Sequence, residues 1–246
     1  MSKIVVLILT WKRISRLKTT LLDLSKQSFK DFEIYISNGN LDRKPAIEKY
    51  ATYFRKNYNL KITVRHDGNS IYAFRRITVG KELAELGAEI IFYLDDDITI
   101  PRNYIEKCLS QYEINTYHSG FAWTFFNNGK DYYKDRERRL DNKYKIHYCG
   151  SGVAMIDAKI LLDDGLSNLS LIPHGALKIE DLWLSYYVDH ILGAKLKYIE
   201  MPGVQIGGAD SVALYKDVSK DIYNKANFLI DLIKSGWSIP KEKTKA

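Results

Sequence analysis

The chain has 246 residues, room for one large α/β domain or two small ones and for a sizeable core. Its 46% apolar and 27% charged content are ordinary for a soluble globular protein and argue against disorder outside the tail. A formal charge of +7 suits an anionic partner without choosing among nucleic acid, a membrane surface and a phosphorylated small molecule.

Ile4 to Thr10 reads as a buried strand, and Arg13 to Gln27 as a helix with Leu17, Leu21, Leu22 and Leu24 near helical spacing. Phe32 to Ser37 is a second strand, stopping at the turn Asn38-Gly39-Asn40, and Lys44 to Asn57 is a second helix. The unit repeats with a strand at Leu60 to Val64 and helical periodicity from Ile71 to Leu86. A fourth strand, Ile90 to Leu94, runs without a spacer into Asp95, Asp96 and Asp97. Such alternation predicts a mostly parallel, Rossmann-like sheet flanked by helices. Beyond Pro101 the spacing predicts a short helix at Tyr104 to Tyr112, strands at Gly120 to Phe126, Tyr144 to Cys149, Val153 to Asp157 and Lys195 to Ile199, and helices at Glu180 to Leu192 and Val212 to Ser235. The polar stretch Asn127 to Asn142 reads as an exposed loop or mobile lid, and 241–246 as a poorly ordered charged tail.

Cys108 and Cys149 are too few for a disulfide framework and read as free thiols in a reducing, cytoplasmic compartment. No apolar segment approaches the roughly 20 residues that span a bilayer, and Trp11-Lys12-Arg13 stands where a signal peptide needs small residues. A soluble protein is expected, with peripheral membrane contact left open.

Three carboxylates at the end of a buried strand repel one another unless a cation or a donor-rich ligand neutralises them. Hard oxygen ligands point to magnesium, manganese or calcium. Asp95, Asp97, Thr99 and Glu106 fall at ligand positions of a calcium loop, but Ile100 stands where that loop requires glycine. In an open α/β sheet, ligands bind outside the carboxyl ends of the strands. Thr10-Trp11, Asn38-Gly39-Asn40 and the Asp triplet share that rim. No glycine-rich phosphate loop follows the first strand, so a phosphorylated ligand would be neutralised by a metal and by Arg75 and Arg76.

These features, from Lys3 to about Tyr198, resemble a glycosyltransferase of the GT-A fold, of the family 2-like or exostosin-like kind. The resemblance implies one GT-A domain over 1–240, with a nucleotide-binding half at 1–100 and a smaller, mixed acceptor half at 101–240. It implies a nucleoside diphosphate sugar donor, a uridine one by preference, a glycan or other hydroxyl acceptor, and Mn2+ or Mg2+. Asp97 assisted by Asp95 is then the metal ligand pair, Asp96 meets a ribose hydroxyl, Thr10 lies close to the nucleotide, and Trp11 or Tyr72 stacks on the base. Gly150-Ser151-Gly152 resembles the small-residue segment that lets backbone approach donor and acceptor. Glu180-Asp181 is similar to the acidic pair that carries the general base of inverting members, with Asp181 as base and Glu180 on the acceptor or trading roles with it. A late metal ligand of the kind the family often adds is not evident; Asp210 and His174 are substitutes.

Two alternatives stay open. A sugar-phosphate nucleotidyltransferase would need glycines after Thr10-Trp11-Lys12-Arg13, and they are missing. A non-catalytic anion-binding module would use Lys134, Arg136, Arg138 and Arg139, but Asp131, Asp135, Glu137 and Asp141 dilute any phosphate track, so no nucleic-acid partner is expected.

Overall fold

The computed structural model describes residues 3–68, 70–172, 174–207 and 224–246. β1 (Ile4–Thr10) buries Val5 and Leu7 in one core and Val6 and Ile8 in another, because successive side chains of a strand point to opposite faces. The sheet is therefore covered on both sides, which is why β1 reads as a continuous apolar run. α1 (Ile14–Ser25) buries Leu17, Thr20, Leu21 and Leu24 as one stripe. β2 (Glu33–Asn38) leads to α2 (Lys44–Tyr58), which has a proline in its first turn and ends at Asn59 in the left-handed conformation with φ 52°. β3 (Ile62–His66), a short 3₁₀ turn, α3 (Arg75–Glu85) and β4 (Ile90–Asp95) complete the first half.

The second half is less regular. It comprises β5 (Ile98–Thr99), α4 (Tyr104–Leu109), β6 (Thr116–Ser119), β7 (Ala122–Phe125), β8 (Arg136–Arg139), β9 (Tyr148–Cys149) and β10 (Val153–Asp157). α5 (Glu180–Tyr186) runs on into a π turn, Tyr187–Ile191, followed by β11 (Lys195–Tyr198), β12 (Gln205–Ile206) and α6 (Lys225–Lys234).

The main sheet has the order β11-β6-β10-β4-β1-β2-β3, and β10 alone among its seven strands runs against the others. β1 lies between β2 and β4, with Thr10 opposite Asn38 and Leu9 opposite Asp95, so the carboxyl ends of three strands share one rim. This is where the strand order reverses, the usual place for a ligand crevice in an open α/β sheet. β8-β7-β9 forms a small antiparallel sheet, and β5 pairs with β12.

Four expectations need correction. The stretch Asn127 to Asn142 is no free loop, since β8 pairs with β7 and both Asp135 and Arg139 are buried. The strand predicted at Gly120 to Phe126 begins later, and β6 before it was missed. Thr116 and Ser119 are polar yet buried, and the Ser119 hydroxyl donates to the Gly150 carbonyl at 2.6 Å. The tail is held: Lys145 N–H donates to Thr244 O at 2.9 Å, Ala246 N–H to Lys143 O at 3.0 Å, and Lys243 pairs with Glu137. Of the helix predicted at Val212 to Ser235, the described part begins at Lys225, capped by Asn224, whose side chain accepts from the N–H groups of Ala226 and Asn227. The earlier part lies outside the described residues, as does Asp210.

Candidate active site

Outside the carboxyl ends of β1 and β4 lies a cavity of about 620 Å3, bounded on its other side by the small sheet and the start of α5. Its floor is the acidic triplet. The Thr10 hydroxyl donates to Asp96 Oδ2 at 2.8 Å, Arg13 Nε lies 3.3 Å from Asp96 Oδ1, and a second Arg13 nitrogen pairs with Asp97. The Thr20 hydroxyl of α1 lies between the backbone carbonyls of Asp96 and Ile98, 3.2 and 3.1 Å away, with its one proton to share between them. Asp96 is nearly fully buried, and that burial pushes its carboxyl up to about 7 against the opposing pull of Arg13 and Thr10.

Arg76 joins the triplet to the distant acidic pair. Its guanidinium donates to Asp95 Oδ1 and to the Ser151 hydroxyl, both at 2.5 Å, and pairs with Glu180, to which Ser151 also donates at 2.7 Å. Burial alone would favour the neutral arginine, but the carboxylates of Glu180 and Asp95 outweigh it and hold the charge. Burial likewise raises the Glu180 carboxyl, with Arg76 pulling the other way.

Asp181, the next residue, faces the other wall. Its Oδ2 accepts from the Tyr148 hydroxyl and from Lys225 Nζ at 2.6 Å, and Lys225 also reaches the Tyr148 oxygen at 2.5 Å. α5 is pinned beside β9 by Ser185, whose hydroxyl accepts from Cys149 N–H at 3.0 Å and donates to Asp181 O at 2.7 Å.

Glycine is required where these walls meet. A Cβ on Gly152 would stand 2.6 Å from Asp95 Oδ2, so any side chain there would push into the carboxylate. Gly39 plays the same part for Arg75, whose Nη2 would lie 2.5 Å from a Cβ.

Comparison with protein families matches residues 5–162, well over half of the chain, to the description Glycosyl transferase family 2. The chain belongs to glycosyl transferase family 2. It is a glycosyltransferase with the GT-A architecture expected from its motifs. No curated protein matches it. Among solved structures, the mannosyltransferase PcManGT from Pyrobaculum calidifontis, in complex with GDP-Man and Mn2+, is 14% identical with a TM-score of 0.55, over 95% of this chain and 69% of that one. TarS of S. aureus is 15% identical with a TM-score of 0.57, over 96% of this chain and 42% of that one. GalNAc-T7, solved with UDP, GalNAc and Mn2+, is 14% identical with a TM-score of 0.59, over 98% of this chain and 55% of that one. At such identities the likeness is one of fold, and the chain spans less than two thirds of TarS and GalNAc-T7.

In this family 2 enzyme the cavity is lined by Thr10, Trp11, Arg75, Arg76, the Asp triplet, Gly150 to Gly152, Glu180 and Asp181, which brings together nearly every residue singled out from the sequence. Asn38 is the exception. Its side chain bonds to Asn40 in both directions, at 2.8 and 2.9 Å, and meets His66 Nδ1 at 3.0 Å, so it shapes the turn instead of lining the cavity. Arg75 lines the edge, with its guanidinium on the Ser37 hydroxyl at 2.9 Å and on Tyr72 O at 3.0 Å. Neither arginine lies on a solvated helix face; both are buried.

Sequence reasoning missed Arg13, Tyr148 as a partner of Asp181, and Lys225. Arg13 carried a usable signal, being three residues beyond Thr10 on the same rim. Lys225 carried none, because only the fold brings α6 to Asp181.

Proposed function

We propose that this enzyme transfers a sugar from a nucleoside diphosphate donor, tested first as a uridine one, to an acceptor hydroxyl with inversion at the anomeric carbon. The observation that carries the reading is the convergence of Asp95 to Asp97 and Glu180-Asp181 on one cavity, joined through Arg76. A cavity of several hundred Å3 matches the usual size of a small-molecule site. The compounds named with PcManGT and GalNAc-T7 support the donor class.

The donor set suits a hard divalent cation: Asp95 and Asp97 offer oxygen only, and the bare Gly152 gives the Asp95 carboxylate room. Among the described residues no group of three or more His, Cys, Asp or Glu side chains converges as a metal cage. Two carboxylates with water and diphosphate oxygens are the ordinary shell of Mg2+ at a nucleotide. When bound, such a cation neutralises the departing diphosphate as a Lewis acid.

Asp181 is the base in this scheme. Both acids line the cavity and both are paired, Glu180 with Arg76 and Ser151 and Asp181 with Tyr148 and Lys225, but the Asp181 side chain is 14% exposed against 4% for Glu180 and so is the one an acceptor reaches. The acceptor hydroxyl gives its proton to Asp181 as its oxygen bonds to the anomeric carbon, and the bond from that carbon to the diphosphate oxygen breaks. Asp96, held by Thr10 and Arg13, presents its remaining lone pairs to ribose hydroxyls, and Trp11 offers a face to the base.

A cytoplasmic location belongs to the same proposal, supported by two free, buried cysteines. Among the described residues no helix is long and apolar enough to cross a membrane. The test is a panel of nucleotide sugars read by thermal shift with and without Mn2+, then transfer or donor hydrolysis with the best of them. If Asp97→Ala and Asp181→Ala both keep wild-type turnover, the roles assigned here are wrong.

A further inference from the structure

The basic stretch around β8 is sorted by the pleat. Glu137 and Arg139 point to one face, where Arg139 binds Glu137 at 2.9 Å and Asp141 at 2.6 Å, and Lys243 covers Glu137. Asp135 is spent on Asp131 N–H at 2.7 Å and the Asn127 amide at 3.1 Å. Asp131 accepts from the Tyr133 and Lys134 N–H groups at 2.9 and 3.2 Å, so each acid of the stretch has a partner other than Arg136 and Arg138. On the opposite face stand Arg136 and Arg138, which form no ion pair with an acid among the described residues. They rest on aromatic rings. The Arg136 guanidinium carbon lies 4.1 Å from the Tyr132 ring centre and 5.4 Å from that of Trp123, and Arg138 lies 5.1 Å from that of Phe121.

Arg136 and the three rings all line the active-site cavity. They sit on the wall that also carries Tyr148, whose ring stacks on Trp123 at 4.9 Å and whose hydroxyl holds Asp181. A guanidinium seated over rings keeps its hydrogen-bond fork free, and that fork matches the oxygens of a carboxylate or phosphate. Arg136 belongs to a different sheet from Thr10 and Asp95, where the donor diphosphate is placed.

We propose that Arg136, flanked by Arg138 and backed by Trp123 and Tyr132, forms an acceptor subsite for a saccharide bearing an anionic group. This rests on the reading of Asp181 as the base on the acceptor side. Unlike a simple basic patch, the site pairs charge with aromatic surface suited to a sugar ring, so it selects charged sugars over neutral ones.

The protein saturated with UDP and Mn2+ is titrated by calorimetry with glucose, glucuronate, glucose 6-phosphate and inorganic phosphate. The charged sugars are expected to bind at least about tenfold more tightly than glucose, a preference of about 1.4 kcal/mol. Glucuronate and glucose 6-phosphate tell carboxylate from phosphate. Arg136→Met should abolish the preference and Arg136→Lys should keep part of it, so the lysine variant decides if the methionine one fails to fold. Equal binding of glucose and both charged sugars overturns the proposal. So does inorganic phosphate binding as tightly as the sugar phosphate, or a loss of UDP affinity in Arg136→Met with the sugar preference intact, which would assign Arg136 to the donor. If the wild type binds no nucleotide at all, the reaction reading fails, while the sugar preference still decides the subsite.

Discussion

Arg76 is the residue on which the site depends most, because it is the buried cation shared by Asp95 and Glu180. Breaking a buried ion pair by deleting one partner leaves uncompensated charge and costs about 3–5 kcal/mol. Arg76→Met should lower the urea midpoint accordingly, and adding Glu180→Gln should restore part of it; an unchanged midpoint in the single variant would mean the network carries no stability. Asp181 makes the complementary case. Asp181→Asn keeps the shape while removing the proposed base, so kcat should fall by about 10²–10⁴, with nucleotide-sugar binding by thermal shift retained. Loss of both together would point to a role in donor binding instead. The acids were legible from sequence because three of them end an apolar strand and two open a helix. Their partners were not, since Arg13, Tyr148 and Lys225 meet them only through long-range contacts.

The elements place these side chains to within ångströms, and the turn between β9 and β10 sets the tightest tolerance. Asp95 N–H donates to Gly152 O at 2.9 Å while the Asp95 carboxylate sits against the bare α-carbon. Gly152→Ala must displace a carboxylate already pinned by Arg76. Kinetics should show kcat reduced on the order of 10–100-fold, the scale of a misplacement of about 1 Å. Unfolding should show a smaller cost, about 1–3 kcal/mol of overpacking. Full activity in this variant would show that Asp95 tolerates displacement. The first four strands and three helices were readable because apolar period and turn residues agree there. β6 and β8 were not: their sequences, Thr-Tyr-His-Ser and Arg-Glu-Arg-Arg, lack apolar alternation, and they become strands only because β10 and β7 offer a free edge.

For the molecule as a whole, two histidines tie stability to acid. His118 and His147 are buried, and burial pushes both down to about 4 from an ordinary value of 6.5. His147 Nδ1 accepts from Phe125 N–H at 3.1 Å, so the folded state holds it neutral. Between these values the unfolded chain binds protons that the native histidines refuse, so the contribution of the two histidines is complete above about pH 6.5 and falls as pH drops toward 4. Burial of Asp96, which raises its carboxyl to about 7, acts in the opposite sense over the same range, so the histidine share is read from urea unfolding as the wild-type change between pH 7 and pH 4.5 minus that of His118→Gln, on the order of 2 kcal/mol; equal changes in the two proteins would contradict the burial argument. In the other direction, a bound nucleotide at about a hundred times its Kd should add about 2.7 kcal/mol by mass action, which chelation of the metal with EDTA should reverse if Asp95 and Asp97 share the cation. What the sequence determined by itself was the α/β alternation, the rim where β1 and β4 end, and the acidic groups that ligand chemistry needs there, because strand period and like-charge clustering are local signals. What only the tertiary structure decided was the pairing of those acids with Arg13, Arg76 and Lys225, the exclusion of Asn38 from the cavity, and the placing of Arg136 on the cavity wall. Those depend on which distant segments are brought within about 3 Å, and no local pattern records that.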